Sequence, residues 1–430
     1  MRARPFFNLI LVLTCMGFFS LSHPQTTSTI HQNEPAKIIH VKNSNWHQTI
    51  AQAPPHSKLI FDRNTFVTLQ SSLVIEKPLI LTGIRARLAD GITDQPLIKV
   101  IADDVTITDF HLYGNRGTLP RKGRHVLLEI RASGFYVENG RFINGSKDGM
   151  MIHTPSAGGN IVGGVIKNLI GRDNGVDVVS IDGGGKGQSI SNLLVENIRC
   201  YNSVEKGAVE VADGCENITV RTVYAENSLY AVDIQDHGKH GKINRNVVVD
   251  DVYALNCEHA VRTGLHPNGH ENITLLNIVS EKCHRPLRLR NITNLKVHNV
   301  TVLDQEGDEH LIYIRECDEV SFRDITVRNA TFAGPAMIVE NVDRFMMDRF
   351  ILDGDIDSIT CGIAYQINRE QPFSGLLIQN CLLPRSLHPG ILLESTNKKS
   401  TLTDYFICHN VANIVDGIRG ERAIIKDNIQ

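Results

Sequence analysis

The chain has 430 residues, of which 42% are hydrophobic and 21% charged, with a net charge of -3. This composition excludes a disordered or collagen-like chain and leaves apolar material for a large core. The basic excess of a nucleic-acid-binding protein is missing, and a single Trp argues against a binding site built on many Trp platforms.

The first segment reads as targeting. Arg2 and Arg4 precede an apolar run from Phe6 to Phe19, and Ser20-Leu21-Ser22 offers small residues for cleavage. Residues 1–22 are expected to be a signal peptide, with an uncleaved anchor as the alternative; Cys15 lies in no good lipoprotein box. No later run reaches about 18 uncharged apolar residues. The mature chain is therefore expected to be soluble, secreted or periplasmic, without a membrane partner, and monomeric. The cysteines after Ser22 form no Cys-x-x-Cys pair, so a zinc site is not expected. Sequons at Asn144, Asn217, Asn272, Asn291, Asn299 and Asn329 fit a repeat that places Asn before β-branched residues better than they fit glycosylation.

Along the chain, Trp46 to Ala53 suits a short helix capping an open end, and apolar stretches at Pro54 to Phe61 and Leu73 to Gly83 follow. Then one frame recurs: apolar-x-apolar, a polar break, apolar-x-apolar. It starts at Val105, Phe135, Gly164, Leu193, Ile218, Val247, Ile273, Leu295, Val320, Phe345 and Leu376, about 27 residues apart. Two-residue alternation rich in Val and Ile means strands, and no leucine-rich pattern is present. The fifth frame position is Asn or Asp in all but two starts (Asp109, Asn139, Asn168, Asn197, Asp251, Asn277, Asn299, Asp324, Asn380). These residues tolerate the left-handed backbone that a tight bend needs. A third strand follows in each repeat, as in Ala208-Val-Glu-Val-Ala212 and Ala231-Val-Asp-Ile-Gln235. The prediction is an all-β, single-domain right-handed parallel β-helix over residues 39–428, with about eleven turns from Val105 onward.

With these repeats the chain resembles the pectin lyase-like β-helix superfamily of secreted carbohydrate-active proteins, from about Ile39 to Asn428. Asp148-Gly149 and Asp173-Asn174 match fragments of the polygalacturonase-type pattern, but its Gly-His-Gly and Arg-Ile-Lys elements are absent at the right places.

Equivalent residues of successive turns stack about 4.8 Å apart, so the third strand reads as columns. Leu128/Ile130, Met150/Ile152, Val179/Ile181, Val209/Val211, Val232/Ile234, Leu287/Leu289, Ile312/Ile314 and Met337/Val339 are expected inside. The outward columns change sign along the helix. Asp182, Glu210 and Asp233, with Asp236 and His237 beyond, give way to Arg262, Arg288, Arg290 and Arg315, with Tyr313 among them. A solvated charged face is the plain reading. The segregation of the two signs favours a site for an acidic or sulfated polysaccharide. Long segments at Thr154–Gly159, Gly183–Ser191, Asp236–Asn246 and Leu265–Glu271 leave the same strand end and are expected to wall a groove. Lys239 and Lys242 read as solvated, His237 and His240 lack a third metal ligand, and Gly183–Gly187 lacks the frame of a phosphate loop.

Two chemistries fit. The first is β-elimination on a uronate glycan. In it the resemblance implies Ca²⁺ held by Asp182, Glu210 and Asp233, Arg262 or Arg288 as base, and Arg290, Arg315, Tyr313, Asp236 and His237 binding substrate. The second is hydrolysis by the paired carboxylates Glu210 and Asp233. Uronate epimerisation and a non-catalytic glycan-binding solenoid are further alternatives. Cys257 and Cys283 share a frame position in adjacent turns, within disulfide range, and are expected to remain buried thiols.

Overall fold

The computed structural model describes residues 34–42, 45–117, 125–156, 158–185, 187–238, 242–264, 269–306, 309–356, 358–397, 399–418, 420–421 and 424–429. The expected signal peptide, Lys239 and His240 lie outside these residues. Residues Pro35–Gln430 form one unit of stacked parallel strands. Among the described residues the strands fall into sheets of 18, 14 and 3 strands, and every pairing between them is parallel, as in Phe135↔Gly164 and Val209↔Val232. No helix among them is long and apolar enough to cross a membrane.

The frame starts stack in register: Phe135, Gly164, Leu193, Ile218, Val247, Ile273, Leu295, Val320 and Phe345 are successive partners. The two strands expected on either side of the polar break run on as one bent strand, as in Ile190–Tyr201. The fifth position makes that bend. It holds φ between 52° and 69° in every frame, at Thr222 and Arg349 as well as at the Asn and Asp residues. Asn amides then pair from turn to turn: Asn168 Nδ2 donates to Asn139 Oδ1 at 3.2 Å, and Asn197 Nδ2 to Asn168 Oδ1 at 2.7 Å. The sequon residues Asn217, Asn272 and Asn299 donate in similar ladders, which supports the repeat as the origin of those sequons.

Thr222 is the costly member. A β-branched residue in the left-handed region is strained by about 1–2 kcal/mol, and the turns above and below hold it there. Thr222→Asn, between Asn197 and Asp251, is expected to raise unfolding stability by about 1 kcal/mol. Denaturant titration checks this; a lowered midpoint contradicts it.

All the residues expected inside are fully buried. The helix Trp46–Gln52 buries Trp46 and Ile50, with the Trp46 ring edge-on to Phe61 at 4.6 Å. The described cysteines are buried free thiols; Cys257 Sγ donates to the Ala225 carbonyl at 3.6 Å.

Candidate active site on the second sheet

The 14-stranded sheet carries the charged columns, and its register aligns them as read from the sequence. Ser180, Glu210, Asp233, Arg262, Arg288 and Tyr313 are consecutive partners. Their environment differs from a solvated face. Glu210 is 4% exposed, Asp233 0%, Asp182 9% and Asp236 2%. An acidic group without a partner would not stay ionised at such burial, and the structure supplies the partners.

Beside the charged column runs a second one that alternation along the strand does not mark. Two residues before the first inward position of each turn stand Asp148, Asp177, Gly207, Tyr230, His259, Arg285 and His310. Asp177 accepts from the Gly207 N–H at 3.0 Å and from the Tyr230 hydroxyl at 2.8 Å. Tyr230 reaches Asp177 by leaning across the intervening turn, and only glycine leaves it room. A Cβ on Gly207 would lie 1.9 Å from the Tyr230 carbonyl oxygen and 2.6 Å from ring atom Cδ2. Lys206, just before this column, places its ammonium on Glu210 Oε1 and 3.6 Å from Asp177 Oδ2. Glu210 Oε2 accepts from the Ser180 hydroxyl at 3.1 Å. Arg262 grips Asp233 Oδ2 through Nε at 3.0 Å and Nη2 at 2.8 Å, and its guanidinium lies 4.6 Å from the centre of the Tyr230 ring. Asp233 Oδ1 is buried with no hydrogen-bond partner among the described residues.

The electrostatics follow from burial. Desolvation raises Asp233 to about 6, against the pull of Arg262. It raises Asp148 to about 6 and Asp177 well above the usual carboxylate range, with the Glu210 charge adding to the latter. Burial alone would depress Lys206, but Asp177 and Glu210 outweigh it and hold the ammonium up. The row thus contains carboxyls that hold their protons to higher pH than usual although an ammonium and a guanidinium stand beside them.

At the other end of the strands, Asp213 Oδ2 lies 2.8 Å from His237 Nδ1, and its Oδ1 accepts from the His237 N–H at 2.8 Å. The bond to Asp213 raises His237. Asp182 lies 3.5 Å from His153 and accepts from the Gly184 N–H; Asp236 accepts from the Gly238 N–H. Lys242 is not a solvated loop residue. Its ammonium donates to the carbonyls of Gly183 and Gln188 and so ties together two of the segments expected to wall a groove.

Among the described residues no three metal-type donors converge on one point. Of the expected Ca²⁺ ligands, Glu210 is committed to Lys206, Asp233 to Arg262, and Asp182 to a separate column. This donor set does not fit the ion. Arg315 Nε lies 3.1 Å from Glu316 and 3.6 Å from Glu340. Tyr313 is buried, its hydroxyl on Glu340 and its ring 5.0 Å from the Arg290 guanidinium. Arg288 and Arg290 remain, lining with Arg285, His310 and Tyr313 a cavity of about 260 Å³ next to Arg262 in the stack.

The chain is thus a parallel β-helix with an apolar interior and a row of buried charged side chains on one outer sheet. In structure the chain is similar to pre-mature gene product 12 of bacteriophage phi29, with a TM-score of 0.53, 10% identity, and coverage of 87% of this chain and 69% of that one. It is also similar to an endo-xylogalacturonan hydrolase from Aspergillus tubingensis (TM-score 0.43, 13% identity, 91% and 100% covered). A family 28 exopolygalacturonase from Yersinia enterocolitica gives a TM-score of 0.41 at 13% identity, with 89% and 79% covered. These likenesses are of fold. No family model and no curated protein sequence matches the chain.

Proposed function

We propose that this face is the active site of an enzyme that cleaves an anionic polysaccharide by hydrolysis. The observation that carries the reading is the unequal pair Glu210 and Asp233. They are direct neighbours on adjacent turns. One is ion-paired with Lys206, and the other holds its proton to about 6. A carboxyl with a raised pKa next to an ion-paired one assigns an acid and a partner. Asp233 serves as the acid that protonates the departing glycosidic oxygen, and Glu210 as the carboxylate facing the anomeric carbon. The strand spacing of about 4.8 Å lies near the ~5 Å separation of retaining enzymes. The glycosidic C–O bond breaks as a Glu210–carbon bond forms, and water then releases the sugar. The arginine cavity next door binds the substrate's negative charge. The reading requires Arg262 to swing from Asp233 as that charge competes for its guanidinium.

Elimination has one specific observation behind it. The Arg288 guanidinium has no carboxylate partner among the described residues. Burial, then Arg290, Arg285 and Arg262, lower its pKa, as a base would need. Arg262 is the poorer base, since Asp233 holds it protonated against burial. The products separate the two: reducing ends without ultraviolet-absorbing unsaturation mean hydrolysis, and unsaturated ends mean elimination.

A pH profile tests the acid. Asp233 must be protonated to donate, so kcat/KM is expected to fall as pH rises through about 6. A rate that climbs steadily from pH 5 to 8 removes Asp233 from that role.

A further inference from the structure

The cavity beside the proposed cleavage point is lined by Arg285, Arg288, Arg290 and His310 and by the carboxylates of Glu309 and Glu340, and both Glu340 oxygens are already taken, by the Tyr313 hydroxyl and the Asn368 amide. Arg285 Nε, Arg290 Nε and His310 Nε2 are buried there without a partner among the described residues. The Arg288 side chain makes no hydrogen bond or ion pair with them either. Arg285 is partly neutralised by Glu258 at 3.6 Å and by the exposed Glu309 at 3.3 Å. Arg290 is set by its place over the Tyr313 ring. Burial keeps His310 neutral, at about 4, so it can offer one N–H without adding charge. Buried donors left unmatched are rare and costly, and several in one cavity mark the place of an acceptor.

We propose that this cavity binds a tetrahedral oxyanion, and that on the substrate this group is a sulfate half-ester and not a uronate carboxylate. A carboxylate has two oxygens in one plane, and a single arginine fork satisfies it. Here donors come from four side chains on two consecutive turns, Arg285, Arg288 and Arg290 on one and His310 on the next. A sulfate half-ester has three terminal oxygens pointing in different directions, as a phosphate group does, and can take them all. The oxyanion site stands on the cavity alone. The assignment of its carrier, a sulfated glycan, rests on the cleavage reading above.

The test is calorimetric titration of the full chain with sodium sulfate, and separately with sodium acetate, in a constant chloride background. Saturable binding of one sulfate per chain is expected, with acetate at least about tenfold weaker. General salt stabilisation by sulfate is not saturable at one site. Arg288→Gln and Arg290→Gln should each weaken sulfate binding about tenfold or more. Arg288→Lys, which keeps the charge and loses the fork, covers the case in which the glutamine variant fails to fold, and should fall between. Asp233→Asn should bind sulfate as the parent does, so loss of cleavage and loss of anion binding are told apart. A sulfated oligosaccharide should compete with sulfate, and its desulfated form should not. Acetate binding as tight as sulfate, or sulfate binding indifferent to Arg288 and Arg290, overturns the oxyanion site. Failure of the sulfated oligosaccharide to compete, or equal competition by the desulfated form, overturns the sulfate-ester assignment.

Discussion

Asp233→Asn should fold as the parent does and lose turnover by about two to four orders of magnitude, the usual worth of a positioned general acid. The amide keeps the carboxyl's size, and its oxygen can still accept from Arg262 Nε and Nη2 at the place of Oδ2. What it lacks is a proton it can give up. Glu210→Gln should lose activity on a similar scale, because an amide cannot form the bond to the anomeric carbon. The two losses should not add, since the residues act in one step. Equal melting temperatures with the activity gone are the expected signature. Near-full turnover by Asp233→Asn shows that the row is structural.

The second large effect is on stability. Arg262→Ala removes the partner of a fully buried carboxylate and a cation from the face of Tyr230. Breaking a buried pair on one side costs about 3–5 kcal/mol. The penalty has a pH sign. Burial already holds Asp233 above its unfolded value, and without Arg262 it rises further. A carboxyl raised in the folded state contributes stability that is present at low pH and lost as pH rises through its folded pKa. The variant should therefore lie closest to the parent near pH 4 and fall behind increasingly above about pH 6. Pairing the change with Asp233→Leu should recover part of the loss. Denaturant titrations at several pH values read this out, and a deficit that does not vary with pH contradicts it.

The fold was legible because its periodicity is repeated. Each turn restates the Val and Ile alternation, and the Asn or Asp at the fifth position states the bend directly. Thr222 and Arg349 break that pattern and bend anyway, since a turn stacked between two bent neighbours has no other register to adopt. The outward column from Ser180 to Tyr313 was legible for the same reason. Its burial was not. Whether Glu210 meets water depends on Lys206, which precedes the strand Gly207–Ala212 and so escapes any reading of alternation within it. Asp177, Tyr230 and His259 stand at the turn-to-strand boundary, where uneven segment lengths hide the column. One signal was present: Gly207 occupies the position that holds Asp148 and Asp177 in the turns before. A glycine there marks space that Tyr230 uses. An acidic column alone does not reveal the Lys206 and Arg262 cations that engage Glu210 and Asp233.

The most direct measurement is depolymerisation of pectic, alginate, ulvan and sulfated polysaccharides by the parent and by Glu210→Gln, followed as new reducing ends. The account predicts cleavage of at least one anionic polymer by the parent, no cleavage of its neutral counterpart, and none of either by the variant. Equal cleavage by parent and variant, or no cleavage of any anionic polymer by the folded parent, contradicts it.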